Sequence, residues 1–334
     1  MHGQGESQGQ GGAEGRERAR GHANGRADAA LEVPRDISDA ADAAAADAGA
    51  FATEAFLARL APDTPLRLAE TATAGVGMLH ALVTQLRPSS EEFRIAIDFL
   101  TEVGHYADAR RQEWVLFADV IGVSSLIERL NHPRPEGATP NTLAGPFYRP
   151  DVPELPLGAS ISRDGRGEPL LVSGRVASLD GAPLAGARVE VWQANAEGLY
   201  ENQDPDRQPE HNLRGRFVAD GEGRFHFATV RPKGYSLPAD GPVGRLMAAL
   251  GIGLERPAHI HFRVTSPGHE TLTTHIFDGS DPAISRDAIF GVREGLVAEF
   301  RPAASERGRR RYTLDLNLVL CPQSPQRMKE TGRR

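Results

Sequence analysis

His259 and His261 stand two apart in the run His259-Ile-His-Phe-Arg-Val264, which alternates with period two. On a strand, residues i and i+2 project from the same face. Both imidazoles can therefore reach one metal ion, while Ile260, Phe262 and Val264 enter a core behind them. Histidine is the commonest metal ligand, although two hydrogen-bonded core histidines give the same pattern. The chain has five tyrosines, and two of them fall near this run. Tyr200 follows Gly198-Leu199 beyond the run Val189–Trp192, and Tyr235 sits in Lys233-Gly-Tyr-Ser-Leu-Pro238. Either tyrosine alone reads as an amphipathic surface anchor. Two phenolates joined to two imidazoles form a donor set suited to ferric iron, since the phenolate oxygen is hard and anionic.

These residues need rigid elements to hold them. From about residue 140 the chain breaks into short alternating runs punctuated by Gly, Pro and Asp. Leu171–Val176, Arg188–Trp192, the Phe225/Phe227 pair, His259–Val264 and Tyr312–Leu318 are expected strands, with turns at Asp180-Gly181 and Asp220–Gly223. That texture predicts a β-sandwich or barrel. Residues 51 to about 132 carry apolar stripes at helical spacing, among them Phe56, Leu57 and Leu60, then Trp114, Phe117 and Ile121. Pro133 and Pro135 end that region. Residues 1–48 hold no aromatic residue and few large aliphatics, so a disordered tail is expected, with a frayed helix in the Ala-rich piece near 39–50. Residues 322–334 read as a polar C-terminal tail.

Composition narrows the class. The 334 residues are 40% hydrophobic with a net charge of −7, which supports a sizeable core and argues against a dedicated nucleic-acid binder. No apolar stretch approaches the ~18 residues of a membrane span. The single cysteine, Cys321, excludes an intrachain disulfide and a multi-cysteine zinc site. It fits a reducing cytoplasm, and the N-terminus lacks the apolar core of a secretory signal.

Taken together, Gly-Leu-Tyr200, Pro-Lys-Gly-Tyr235 and Arg256-Pro-Ala-His259-Ile-His261-Phe resemble the intradiol ring-cleavage dioxygenases. Val191-Trp-Gln-Ala-Asn195, Asn212–Phe217, Asp240–Gly244, Asp108–Glu113, Leu116–Ser124 and Gly145–Tyr148 extend the likeness over roughly residues 65–320. The resemblance implies an α+β chain: an N-terminal helical dimerisation domain over 49–135, followed by a mainly antiparallel β-sandwich catalytic domain over 136–321. It implies one non-haem Fe(III) per chain, held by Tyr200, Tyr235, His259 and His261. Tyr235 falls on the position whose tyrosinate leaves the iron when a diol chelates it. On that resemblance the ring opens between its two adjacent hydroxylated carbons, both atoms of O2 enter the product, and a cis,cis-muconate results. Arg256 is the expected stabiliser of negative charge on the ring. His275 departs from the glutamine of many catechol-type members and is expected to act as a hydrogen-bonding neighbour of the metal. A homodimer through the helices is implied, and a phospholipid between them is compatible with the family.

Residues matching family pocket positions are Leu116, Asp119, Leu143, Ala144, Gly145 and Pro146, together with Phe147, Leu237, Pro238, Arg256 and Ile289. A carboxylate beside an aromatic pocket is costly unless it finds a donor, and the extra hydroxyl of hydroxyquinol (1,2,4-trihydroxybenzene) supplies one to Asp119. A helix-internal partner for Asp119, such as Arg110 or Arg111, would instead leave catechol or a substituted catechol as substrate. Two other readings stand beside these. Asp180–Val189 also resembles the strand-turn-strand of transthyretin-like binding sandwiches, which catalyse nothing. An oxygenase using only the histidine pair would not need either tyrosine.

Overall fold

The computed structural model describes residues 39–108, 111–306 and 308–323. Two compact units divide between Phe93 and Arg94. The first holds α1 (Asp39–Leu57) and α2 (Leu66–Leu86). Alanine is the best helix former, and the Ala-rich stretch from Asp39 accordingly belongs to α1, so residues 39–48 are helical. The rest of the tail expected over 1–48, residues 1–38, lies outside the described residues. Helix α2 follows Pro65 and stops at Arg87, whose left-handed backbone (φ 48) lets its N–H donate to the Val83 carbonyl. The Thr53 hydroxyl lies 2.9 Å from His80 Nδ1 and ties α1 to α2.

Helix α3 (Ser90–Tyr106) spans the division. Ser89 and Glu92 cap it reciprocally: the Glu92 N–H donates to Ser89 Oγ at 3.2 Å, and the Ser89 N–H to Glu92 Oε2 at 2.7 Å. In the second unit, α4 (Glu113–Val120) and α5 (Val123–Asn131) replace the continuous helical run expected there. Gly122, at φ 78, makes the break, a conformation a residue with a Cβ rarely adopts.

The strands are β1 (Pro169–Ser178), β2 (Arg188–Gln193), β3 (Arg214–Val218), β4 (Arg224–Val230), β5 (Tyr235–Ser236), β6 (Glu255–Arg256), β7 (His259–Thr265), β8 (Leu272–Asp278), β9 (Val297–Ala298), β10 (Arg301–Glu306) and β11 (Arg309–Leu320), with α6 (Pro242–Ala249) between β5 and β6. Among the described residues, one large sheet runs β10-β11-β1-β4, a second runs β3-β2-β7-β8-β9, and β5 and β6 form a small pair of their own. Pairing is mainly antiparallel; β1 with β11 and β8 with β9 are parallel. Val172 of β1, Phe227 of β4 and Leu314 of β11 share one core with Val191 of β2 and Ile260 and Phe262 of β7, so the two sheets form a sandwich. The Asp220–Gly223 turn works because Gly223 takes φ 70, and a Cβ there would collide with the Val176 carbonyl. Among the described residues no helix is long and apolar enough to cross a membrane.

Candidate metal centre

The register of three neighbouring strands sets out the site. His261 pairs with Trp192 of β2 on one side and with His275 of β8 on the other. The alternation that sends Ile260, Phe262 and Val264 into the core puts His259 and His261 on the opposite face. All three histidines are almost wholly buried. Their nearest donor atoms lie within 4.8 Å of one another. The Trp192 ring stacks on His261, with centroids 4.6 Å apart and planes at 14°.

The two tyrosines reach this face from loops. Tyr200 precedes a single 3-10 turn (Glu201–Gln203), which fixes its backbone: the Tyr200 N–H donates to Gln203 Oε1 at 3.0 Å. Its hydroxyl lies 2.9 Å from His261 Nε2. Phe147 stacks on its ring at 4.2 Å. Tyr235 is not a free loop residue, because β5 pairs it with Arg256 of β6. Its ring stands edge-on to Tyr200 at 5.9 Å and lies 5.7 Å from His259. The four residues expected as ligands are thus brought together from strands β5 and β7 and from the turn after β2.

Protonation follows from the contacts. A carbonyl only accepts, so His259 Nδ1 donates to the Pro257 carbonyl at 2.7 Å. That leaves the Nε2 lone pair of His259 facing His261 Nε2 at 3.2 Å. Two nitrogens each about 2.1 Å from one ion, the usual metal–imidazole length, stand about 3 Å apart. Burial pushes the Tyr200 phenol well up, and the neighbouring Tyr235 adds to this against the opposing charge of Arg256. A phenol so placed ionises only beside a strong cation. Burial likewise holds His259, His261 and His275 well below the usual imidazole range, so all three stay neutral and able to ligate. His275 makes no hydrogen bond through either ring nitrogen. The donors present therefore fit a metal ion.

Arg256 borders this set. Its Nη1 lies 3.4 Å from Tyr235 Oη and 3.5 Å from His259 Nε2. Burial disfavours its charge, but Tyr235 and the Asp287 carboxylate outweigh that and keep the guanidinium protonated. The buried Arg214–Glu201 ion pair, at 2.7 Å, braces the turn that carries Tyr200. Glu190 accepts from Tyr148 at 2.9 Å, and Tyr148 leans on Trp192. Trp192, Glu201, Arg214 and Asp287 had no role assigned from the sequence; only pairing across distant segments reveals them.

The expected pocket residues divide into groups. Leu143 and Ile289 line, with His275, a small cleft. Ala144 and Phe147 pack on the Trp192–Tyr200 cluster, and the Gly145 backbone passes beside His261. Leu116 and Leu237 join an apolar cluster with Val120 and Val243. Pro146 and Pro238 are exposed. Asp119 is half-buried; burial raises its carboxyl, while Ser124 and the charge of Arg256 work the other way. The partner of Asp119 is thus Ser124 at the start of α5, whereas Arg111 engages Glu113 at 2.8 Å and Asp240 at 2.8 Å. Arg110 lies outside the described residues.

Known proteins resemble this chain in sequence and in fold. Residues 144–322 match a family model described as Dioxygenase, and residues 66–139 one described as Catechol dioxygenase N terminus. The chain is 48% identical over 248 residues to hydroxyquinol 1,2-dioxygenase of Rhizobium sp. (strain MTP-10005), covering 74% of this chain and 84% of that one. Its fold matches the hydroxyquinol 1,2-dioxygenase of Pseudomonas putida DLL-E4 with a TM-score of 0.78 at 34% identity, over 84% of this chain and 99% of that one. The catechol 1,2-dioxygenase of Pseudomonas arvilla C-1 matches with a TM-score of 0.69 at 31% identity, over 84% and 94%.

Proposed function

The chain belongs to the intradiol ring-cleavage dioxygenases, and from that premise we propose that it opens hydroxyquinol between its two adjacent hydroxylated carbons, using O2 and one non-haem Fe(III) per chain. The reading of the sandwich as a non-catalytic binding module lapses with family membership. The observation that carries the chemistry is the position of His261 Nε2, 2.9 Å from the Tyr200 hydroxyl and 3.2 Å from His259 Nε2. With Tyr235 they would hold the ion. When bound, Fe(III) supplies Lewis acidity toward both diol oxygens and an electron-accepting centre for the ring.

The residues do the rest. Tyr235, the less buried of the two tyrosines, would take up a diol proton at Oη. Arg256 directs Nη1 toward that oxygen and stabilises negative charge gathering on the ring. Phe147 and Trp192 wall the site with aromatic surface and exclude water. His275, with two uncommitted nitrogens beside His259 and His261, offers a hydrogen bond to a small oxygen ligand. Leu143 and Ile289 shape the adjoining cleft.

Asp119 decides between diols. Its carboxylate, half-buried and within the field of Arg256, gains a donor from the third hydroxyl of hydroxyquinol. A hydrogen bond to a charged group contributes about 1.5–3 kcal/mol. Asp119→Ala is therefore expected to lower kcat/KM for hydroxyquinol by about 10- to 100-fold and to leave catechol nearly unchanged. Steady-state kinetics on both diols check this, and equal losses would remove the contact. The second reading, catechol or a substituted catechol, is favoured by Ser124, which already gives Asp119 a partner.

The helical segment 49–135 is assigned to dimerisation. On α2, Leu79, Leu82, Val83 and Leu86 occupy one face at helical spacing and are 49–61% exposed, a row that a second copy would cover. The same surface suits a phospholipid acyl chain. Leu82→Asp combined with Val83→Asp is expected to halve the mass seen by sedimentation, from twice 35.9 kDa to that of one chain. An unchanged mass would place the interface elsewhere. The lone cysteine, Cys321, is buried and unpaired in the chain, in keeping with a cytoplasmic location.

A further inference from the structure

Arg256 and Asp287 form a buried ion pair between side chains only 3% and 2% exposed. Arg256 Nε donates to Asp287 Oδ1 at 3.0 Å, and Nη2 approaches Oδ2 at 3.5 Å. Oδ2 also accepts the Gly291 N–H at 2.8 Å. The loop is tied to β6 a second time, because the Ala288 N–H donates to the Glu255 carbonyl at 3.0 Å. A side chain at Gly291 would press on both partners: its Cβ would stand 2.8 Å from Asp287 Oδ2 and 3.1 Å from Arg256 Nη2.

The carboxylate thus takes the Nε–Nη2 edge of the planar guanidinium, a fork geometry that fixes orientation as well as position. The remaining nitrogen, Nη1, is the one that faces Tyr235 Oη and His259 Nε2. The same loop carries Ile289 into the cleft wall that His275 shares. We propose that Asp287 is a positioning residue: it aims Nη1 of Arg256 at the reacting ring and locks that aim to the Ile289 wall of the cleft. This rests on the reading of Arg256 as the group that stabilises charge on the substrate.

A misplacement of about 1 Å at a reacting centre costs on the order of 100-fold in rate. Asp287→Asn keeps the shape but offers an amide N–H to a donor, and Asp287→Glu keeps the charge but moves the carboxylate by one methylene. In iron-loaded protein assayed with hydroxyquinol and with catechol, kcat per bound iron should fall about 30- to 100-fold in Asp287→Asn. Asp287→Glu should fall less, KM should change under about 3-fold, and iron content and the visible tyrosinate band should persist. A merely structural role would lower folded yield or iron content and leave kcat per iron unchanged, and that result overturns the assignment, as does full kcat in either variant. A crystal structure of Asp287→Asn reads the pose of Arg256 whatever the protein cleaves. A guanidinium turned away from Tyr235 supports the assignment and an unmoved one overturns it. If the wild type opens neither diol, the functional reading fails on its own terms, and the pose still decides the positioning claim.

Discussion

Tyr200→Phe is expected to purify with most of its iron and its visible colour gone, and with turnover reduced at least 1,000-fold per chain, roughly the loss of a transition-state contact compounded by loss of the ion itself. Tyr200 is 1% exposed and its hydroxyl lies 2.9 Å from His261 Nε2. Removing that oxygen deletes an anionic donor while leaving the ring stacked on Phe147. His261 Nε2 then faces a gap, at a cost of about 1–3 kcal/mol for an unsatisfied buried group. The fold should survive, because the sandwich core lies on the other face of β7. Metal analysis, the absorption spectrum and activity should therefore fall together while circular dichroism stays near wild type. An iron-replete, coloured and active Tyr200→Phe would remove this residue from the ligand set and leave Tyr235 and the histidines to hold the ion.

Arg256→Met should show the opposite separation. Iron and colour remain, since the four proposed ligands are untouched, but kcat per iron falls about 100- to 1,000-fold, the loss typical of one preorganised charge-stabilising donor. The substitution also strands the buried Asp287 carboxylate, and breaking a buried pair in this way costs about 3–5 kcal/mol. The melting temperature should drop accordingly. Adding Asp287→Asn should return part of that stability without returning activity. Undiminished kcat per iron in Arg256→Met would place the charge stabilisation on another group.

Legibility from sequence followed the range of the interactions. His259 and His261 are readable because a period of two is local: it sends Ile260 and Phe262 into the core and both imidazoles to the other face. The strand runs around Val172, Val191 and Leu314 were readable for the same reason. Tyr200 and Tyr235 have no local periodicity; donor chemistry and nearness to the histidine run raised them, and the family motif set them apart from a surface anchor. Register is not written in any one segment. The row Trp192–His261–His275 exists because β2 and β8 both pair with β7, and the parallel pairing of β1 with β11 joins positions as far apart as Leu170 and Tyr312. The buried partners of the site share that origin: Asp287 meets Arg256 from 31 residues away and Glu201 meets Arg214 from 13. The helical run hid its break because Gly122 is only one glycine in an apolar stripe, and nothing local tells a tolerated glycine from one at φ 78.

Mass spectrometry of the product formed from hydroxyquinol under oxygen-18 gas tests the central claim most directly. A ring opened between the two adjacent hydroxylated carbons, carrying both labelled atoms at the moment of cleavage, is the predicted result. Unaltered hydroxyquinol from iron-loaded protein, a ring opened outside the diol, or a product with no label from the gas would contradict it.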